Sequence, residues 1–338
     1  MRTHITPVQL FFLIFAYLLS GFFLYNIHSY YAVAAQFAVF SLFAVLGTGG
    51  LFRRRRGLAD FISFYVSRPF KLVFLGLFLI LSVFQMGRTI IFYSESIERY
   101  CDFLPSWMIL FAIGFCAVLT VRQGMTAIGR LAELIPFILV PLVFVRPFGD
   151  FAPVLAASDF PASGVLSCVS SAPVFFLASK TVTSGDDGIS SSMRVASTPP
   201  ASRAFYLLRI MIAAAASASL VYVFLSLFSF HADDVFLSLF LWMLHILRLS
   251  VLVGICVDLI AENRHAGYRT VYTGIFSVSV MMALAVLQGS KWIFLYQIDR
   301  VIAITELILP VAFNLIFAIR FWLFGRNHFR VRKKRGSV

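Results

Sequence analysis

The stretch Val235–Ala261 reads VFLSLFLWMLHILRLSVLVGICVDLIA. An α-helix rises about 1.5 Å per residue, so about 20 apolar residues in a row cross the hydrocarbon layer of a bilayer. This stretch exceeds that length and carries one permanent cation near its middle, Arg248, with His245 one turn before it. A charge at that depth must face a partner or water. The stretch therefore reads as a membrane span with a functional polar group inside it.

Nine further segments have the same character, giving ten expected spans. The first runs from Val8 to Tyr25, with Pro7 suited to its first turn. The second covers Ala32 to Phe52 and stops at Arg53-Arg54-Arg55-Arg56. The third follows Pro69 and runs to Tyr93, the fourth follows Pro105 and ends near Val121, and the fifth runs from Ile128 to Val145. The sixth covers Ser163 to Ser179, and the seventh Ala204 to Phe230. Val235–Ala261 is the eighth, Thr270 to Gln288 the ninth, and Val301 to Phe324 the tenth. Of 338 residues 60% are hydrophobic, and the mean hydropathy is +0.92. A soluble domain could not hide that much apolar surface. The expected fold is an all-α membrane protein of ten transmembrane helices, forming a single polytopic domain over residues 1–338.

The charges support an even count. The net charge is +13. With ten spans, Arg2, Arg53 to Arg56, Arg68, Lys71, Arg122, Arg130, Lys180, Arg194, Arg203, Arg209, Arg264, Arg269 and the tail from Arg326 to Arg335 share one side. The opposite loops carry Glu95, Glu98, Asp102, Asp150, Asp159, Asp233 and Asp234, with Arg99, Arg146, Lys291 and Arg300 as the basic residues there. Positive loops stay cytoplasmic, so both termini are expected in the cytoplasm of a multi-pass cell-membrane protein. The basic runs abut apolar helices, which points to anionic membrane lipid as their partner and away from nucleic acid. The first apolar stretch is long and lacks a small-residue cleavage site, so no cleavable signal is expected. Cys116, Cys168 and Cys256 fall inside spans and Cys101 in an outer loop, with no disulfide framework, metal-ligand spacing or cofactor signature. No catalytic triad or phosphate-binding motif stands in a credible context, so no enzyme is expected. Trp107, Trp242, Trp292 and Trp322 fall near span ends, where interface anchoring is the ordinary reading.

Two features organise the chain. Residues 180–203, with Ser184-Gly185-Asp186-Asp187-Gly188 and Pro199-Pro200, form a polar cytoplasmic linker, and residues 325–338 a basic tail. The fifth span reads Ala132-Glu133-Leu134-Ile135-Pro136 and runs on to Arg146 and Phe148; the tenth reads Thr305-Glu306-Leu307-Ile308-Leu309-Pro310 and runs on to Arg320 and Phe321. The two cross in opposite directions, which suggests a five-plus-five inverted repeat, residues 8–146 and 163–324. The matching first helices, one and six, both carry small polar interruptions: Ser20-Gly21, and Ser163-Gly164 followed by Ser170-Ser171-Ala172-Pro173. Pro173 cannot donate a backbone bond. Interrupted helices at membrane depth line cavities, and their ends can hold a small ligand. The plainer alternative is a proline kink in one helix and a packing glycine in the other.

Ionisable residues in the spans complete the candidate set. Arg88 could dock a carboxylate, or pair with Glu95 or Glu98 and fix the outer end of its helix. Arg130 and Glu133 stand three apart, which permits a pair or an inner gate. Arg248, Asp258 and Glu306 are the remaining gating or ion-pair candidates, with Glu306 the best acidic candidate in the second half and Asp258 near enough to meet Arg209 or Arg264.

Several stretches carry a family resemblance: Ile5-Thr6-Pro7-Val8-Gln9-Leu10-Phe11-Phe12; Arg88 with Glu95 and Phe103-Leu104-Pro105-Ser106-Trp107; Gly124 to Glu133 with Arg130-Leu131-Ala132-Glu133 followed by Pro136; and Ile308 to Arg320 with the basic tail. In these the chain resembles the spore germination permeases, the B subunit of germinant receptors, within the amino acid–polyamine–organocation transporters. The resemblance implies the five-plus-five, LeuT-like fold and a role in sensing a small-molecule germinant such as an amino acid in the spore inner membrane. It also implies an A-type membrane subunit and a C-type lipoprotein as partners. The expected ligand site is Ser20, Gly21, Arg88, Ser170, Ser171 and Pro173. The sixth span has Phe175-Phe176-Leu177 where the family often carries an acidic residue. Two other functions remain open on the sequence, a secondary active amino acid transporter and a structural subunit that binds nothing.

Overall fold

The computed structural model describes residues 5–24, 30–51, 73, 76, 77, 79, 80, 82, 85–87, 89, 106–145, 174, 177, 178, 200–227 and 235–261. Within these the elements are α1 (Pro7–Leu24), α2 (Tyr30–Leu51), α3 (Ser106–Arg122), α4 (Met125–Ala132), α5 (Ile135–Val145), α6 (Pro200–Ser226) and α7 (Val235–Ala261). The described residues between 73 and 89, in the expected third span, are helical too, and no described residue is in a strand. Among the described residues, Met125–Phe144, Phe205–Ser226 and Leu239–Val257 are long and apolar enough to cross a membrane, and Pro7–Phe23 and Tyr30–Leu42 are shorter apolar helices. The ninth and tenth spans, and with them the repeat relation, lie outside the described residues.

Local chemistry sets the helix ends. Thr6-Pro7-Val8-Gln9 forms a reciprocal cap on α1. The Gln9 N–H donates to Thr6 Oγ1 at 3.2 Å, and the Thr6 N–H donates to Gln9 Oε1 at 3.1 Å. Two N–H groups that the helix leaves over are thereby satisfied, and Pro7 fills the first helical position at no loss of a donor. Between α3 and α4 the chain reverses through Gln123 and Gly124. The Gly124 N–H donates to the Val121 carbonyl at 2.8 Å, and Gly124 takes φ 96° and ψ 169°, a region open in practice to glycine alone.

The fifth span is not one regular helix. It begins at Met125, ends a first piece at Ala132, turns through Glu133 and Leu134, and resumes at Ile135. Pro136 has no N–H for the carbonyl four residues before it and disfavours helical geometry at Ile135. The ladder tightens around it: Leu134 N–H bonds to the Leu131 carbonyl and Phe137 N–H to the Leu134 carbonyl, both at 3.1 Å.

One expectation is corrected. The first helix is not interrupted at Ser20-Gly21 but runs unbroken from Pro7 to Leu24. No proline removes a donor there, and the Ser20 hydroxyl donates to the Tyr17 carbonyl at 2.9 Å, bonding back along its own helix. The interruption expected in helix six lies outside the described residues, where only 174, 177 and 178 are seen, all helical.

α7 is the central element. Of Leu239–Val257, 72% is buried inside the molecule, against 39% for Phe205–Ser226 and 28% for Met125–Phe144. It packs against α1, α3, α4 and α5, while α1 packs against α4, α6 and α7, and α6 also against α2. Phe22 stacks on Tyr222 at 5.1 Å between centroids and Phe23 meets the same ring edge-on at 4.9 Å, which seats α1 on α6. Phe137, Phe144 and Leu220 are exposed; on a membrane protein such residues face lipid, so the outside is as apolar as the inside.

Small residues set the closest approaches. A Cβ on Gly129 of α4 would lie 3.0 Å from both Cβ and Cδ of Gln9 on α1, whereas one on Gly76 would meet nothing within 4 Å. The two glycines therefore respond oppositely. Gly129→Ala is expected to destabilise the protein by roughly 1–3 kcal/mol through overpacking. Gly76→Ala is expected to be neutral or stabilising by up to about 1 kcal/mol, because a helix interior disfavours glycine. Melting temperatures of the two purified variants check the sign of each.

Candidate functional site

Arg248 is 1% exposed, although it carries a permanent charge near the middle of a long apolar helix. Its placement follows from α1. The Arg248 Nη1 donates to the Tyr17 carbonyl at 2.9 Å and, more weakly, to Ser20 Oγ at 3.4 Å. The guanidinium carbon stands 4.3 Å from the centroid of the Tyr17 ring, a cation–π arrangement. Because Ser20 spends its proton on the Tyr17 carbonyl, its lone pairs are left to accept from the arginine. The carbonyl has two lone pairs, so it can serve its own helix and the guanidinium together.

Gly21 completes this junction by having no side chain. A Cβ there would be 3.0 Å from Arg248 Nη1. Ser20 and Gly21, expected as a break, are instead the small surface against which the arginine lies.

The third span holds the tyrosine. Tyr17 O–H donates to Gln85 Oε1, Thr89 Oγ1 donates back to the Gln85 carbonyl at 2.8 Å, and Ser82 is a hydrogen-bond partner of Cys256 on α7. This span thus touches both α1 and α7 with one stripe of short polar side chains. Ser82, Gln85 and Thr89 are all buried. His245, also buried, stands one turn before Arg248 on α7.

The guanidinium has donors to spare. Its Nε and Nη2 are buried and make no hydrogen bond to the protein. Among the described residues no carboxylate pairs with it. Neutral oxygens and a ring face carry the charge on one edge, while the Nε–Nη2 edge has the planar two-donor geometry that matches a carboxylate.

The other expected site residues fall elsewhere. Arg130 is exposed on α4, and Glu133 is half-buried in the turn after it, its N–H bonded to the Gly129 carbonyl at 3.1 Å. No ion pair joins them, although Glu133 keeps helical dihedrals of φ −65° and ψ −16°. Gly129 packs on Gln9, eleven residues before Ser20 on α1, so this pair lies roughly 16 Å from the arginine junction along the helix. Asp258 belongs to α7, with its side chain outside the described residues. Arg88, Ser170, Ser171, Pro173 and Glu306 also lie outside them, although the neighbours of Arg88, Gly87 and Thr89, are buried.

Tyr17 and Gln85 were not singled out from the sequence. The signal was present for one of them: Ser82, Gln85 and Thr89 recur every three or four residues, the spacing of a single helix face. For Tyr17 the local pattern gives no signal, because its partner is 231 residues away.

A buried charged group among apolar helices, three of the described ones long enough to cross a bilayer, is the arrangement of a membrane protein. No family model matches the chain, and no curated protein matches it in sequence. Among solved structures the chain is similar to Mhp1, a nucleobase-cation-symport-1 family transporter in a closed conformation with bromovinylhydantoin bound. The TM-score is 0.51 at 11% identity, over 95% of this chain and 93% of that one. At that identity the likeness establishes the fold.

The tyrosine separates ring from hydroxyl. Tyr17→Phe keeps the ring under the guanidinium and is expected to cost about 1 kcal/mol for the lost hydrogen bond and the buried Gln85 oxygen. Tyr17→Leu also removes the cation–π contact and is expected to cost a further ~0.5–2 kcal/mol. Thermal denaturation of the two variants beside the parent protein measures the difference.

Proposed function

We propose that this chain is a transporter-fold nutrient sensor, the germinant-binding membrane subunit of a spore germination receptor. The observation that carries the reading is Arg248: a buried guanidinium with an unused Nε–Nη2 edge, packed on Ser20 and Gly21. Placing a cation at the middle of a membrane helix costs about 3 kcal/mol on insertion scales, and a charge kept there is a functional group by default. The free edge suits the carboxylate of a small solute such as an amino acid. The motifs Ile5-Thr6-Pro7 and Arg130-Leu131-Ala132-Glu133 with Pro136 support the spore germination resemblance, and the transporter fold supports a solute site within the membrane.

The mechanism is a population shift. A solute that binds one arrangement of the helices better than another biases the equilibrium by that difference and by no more. Since Arg248 belongs to α7 and bonds to α1, a solute drawing on its free edge acts on the junction between them. In the receptor reading an A-type membrane subunit and a C-type lipoprotein receive the change.

The test is binding followed by uptake. The purified chain in nanodiscs is titrated with a panel of amino acids, and the best ligand is retested with Arg248→Lys. The lysine variant keeps charge but loses the two-donor edge, so affinity is expected to fall about 10- to 100-fold, equivalent to one lost charged hydrogen bond. No binding by any member of the panel would defeat the reading. Robust gradient-driven accumulation of a labelled amino acid in liposomes would replace the sensor by an active transporter.

A further inference from the structure

α6 carries a cation on its outer face. Within Phe205–Ser226, which is long and apolar enough to cross a membrane, Arg209 is the only charged residue. It is exposed, as are Phe205 and Tyr206, so the side chain faces the surroundings of the protein. Its Cα lies four residues, about 6 Å, inside the apolar run. Long side chains on a helix lean toward its N-terminus, and this one does. The guanidinium carbon stands 4.6 Å from the centroid of the Phe205 ring, one turn back. The charge is thereby returned to the level at which the span begins, the depth of the lipid headgroups. Tyr206, three residues before Arg209, is its neighbour on the helix surface, and a tyrosine at that depth keeps its hydroxyl among the headgroups. Residues 200–227 hold Arg203 and Arg209 as cations and no carboxylate. Beyond the arginine the same face continues through exposed Ala213 and Leu220, which lie within about a quarter turn of it at about 100° per residue.

We propose that Phe205, Tyr206 and Arg209 form a headgroup site for an anionic phospholipid. The phosphate is held by the planar donors of Arg209, which match its oxygens in pairs, with the Tyr206 hydroxyl as a further donor. Phe205 supports the guanidinium on its flat face and leaves the edge to the phosphate. An acyl chain lies along Ala213 and Leu220. The apolar run beyond the cation selects a lipid over a free phosphate ion, which would leave that run without a match. The charge balance selects an anionic headgroup, because two cations with no carboxylate favour a ligand of net negative charge. The sequence also puts this end of the span on the cytoplasmic side, where anionic lipid is concentrated. α6 packs on α1 and α2, so the bound lipid bears on the seating of all three helices.

Melting temperatures in defined bilayers test this without involving the solute site. The full chain is placed in nanodiscs of phosphatidylcholine alone and of phosphatidylcholine mixed with phosphatidylglycerol. The anionic lipid is expected to raise the melting temperature of the parent protein by at least ~2 °C. Arg209→Gln is expected to lose most of that rise, and Tyr206→Phe a smaller part of it. Arg122→Gln removes the same charge from the exposed end of α3 and is expected to keep the whole rise. Inorganic phosphate added to the phosphatidylcholine nanodiscs, against chloride of equal ionic strength, is expected to move none of the proteins. No rise in the parent, or an equal rise in the parent and Arg209→Gln, would overturn the proposal. An equal loss in Arg122→Gln and Arg209→Gln would also overturn it, by reducing the effect to the general field of the surface. A rise with inorganic phosphate as large as that with lipid would replace the lipid by a free anion. If Arg209→Gln yields no folded protein, Arg209→Lys decides, since it keeps the charge and loses the paired donors. A smaller rise than the parent's supports the site, and a rise as large overturns it.

Discussion

A single positive charge with nowhere to go organises the described part of this molecule. Arg248 cannot lose its proton and is closed off from water, so it must be solvated by the protein. Among the described residues it is met by dipoles and by no counter-ion. A charged hydrogen bond is worth about 1.5–3 kcal/mol and a desolvated cation–π contact up to about 2 kcal/mol, which together match the cost of about 3 kcal/mol for an arginine at the centre of a membrane helix. That balance explains why the surroundings are so constrained. α1 must be regular at Tyr17 for its carbonyl to project correctly, residue 21 must lack a side chain, and the tyrosine must be steadied from behind by Gln85.

How much of this was legible depends on the range of the interaction. The helical class and the course of α7 follow from apolar run length alone. The start of α1 is written in Thr6-Pro7-Val8-Gln9, a four-residue signal, and the bend in the fifth span in Pro136. The anomaly of Arg248 was also visible, because one guanidinium in an apolar run contradicts its neighbours. Its partner was not visible. The partner seen among the described residues is a carbonyl, which every residue possesses and no sequence pattern marks; Glu306 and the side chain of Asp258 lie outside them. For the same reason Ser20-Gly21 reads on the sequence alone as either a break or a packing site. Small polar residues in a helix signal either a rupture or a close approach, and only the structure, which brings Arg248 across 228 residues to Ser20, tells which.

The division of labour among the helices bears on function. α7 is enclosed on most sides and supplies the charge, α1 supplies the dipoles, and the stripe of Ser82, Gln85 and Thr89 touches both. A group with donors on two edges can hold one helix with the first and offer the second to a small solute. In the proposed reading, occupancy of that edge is linked to the seating of α1, because the same guanidinium bonds to the Tyr17 carbonyl. Sensor and carrier use that linkage alike; they differ in whether the far side ever opens.

The reversal at Gln123-Gly124 has a mechanical corollary. With two residues between them, α3 and α4 share one pivot, and its φ of 96° is available to no other residue type without strain. Both helices also rest on α7. With so short a connection and a common support, α3 and α4 have little freedom to part from one another. The next joint, at Glu133-Leu134, is of another kind: Pro136 has no N–H there, and the bonds around it are the tighter three-residue ones. All three pieces rest on α7, so the two joints set the path of the chain around that one helix.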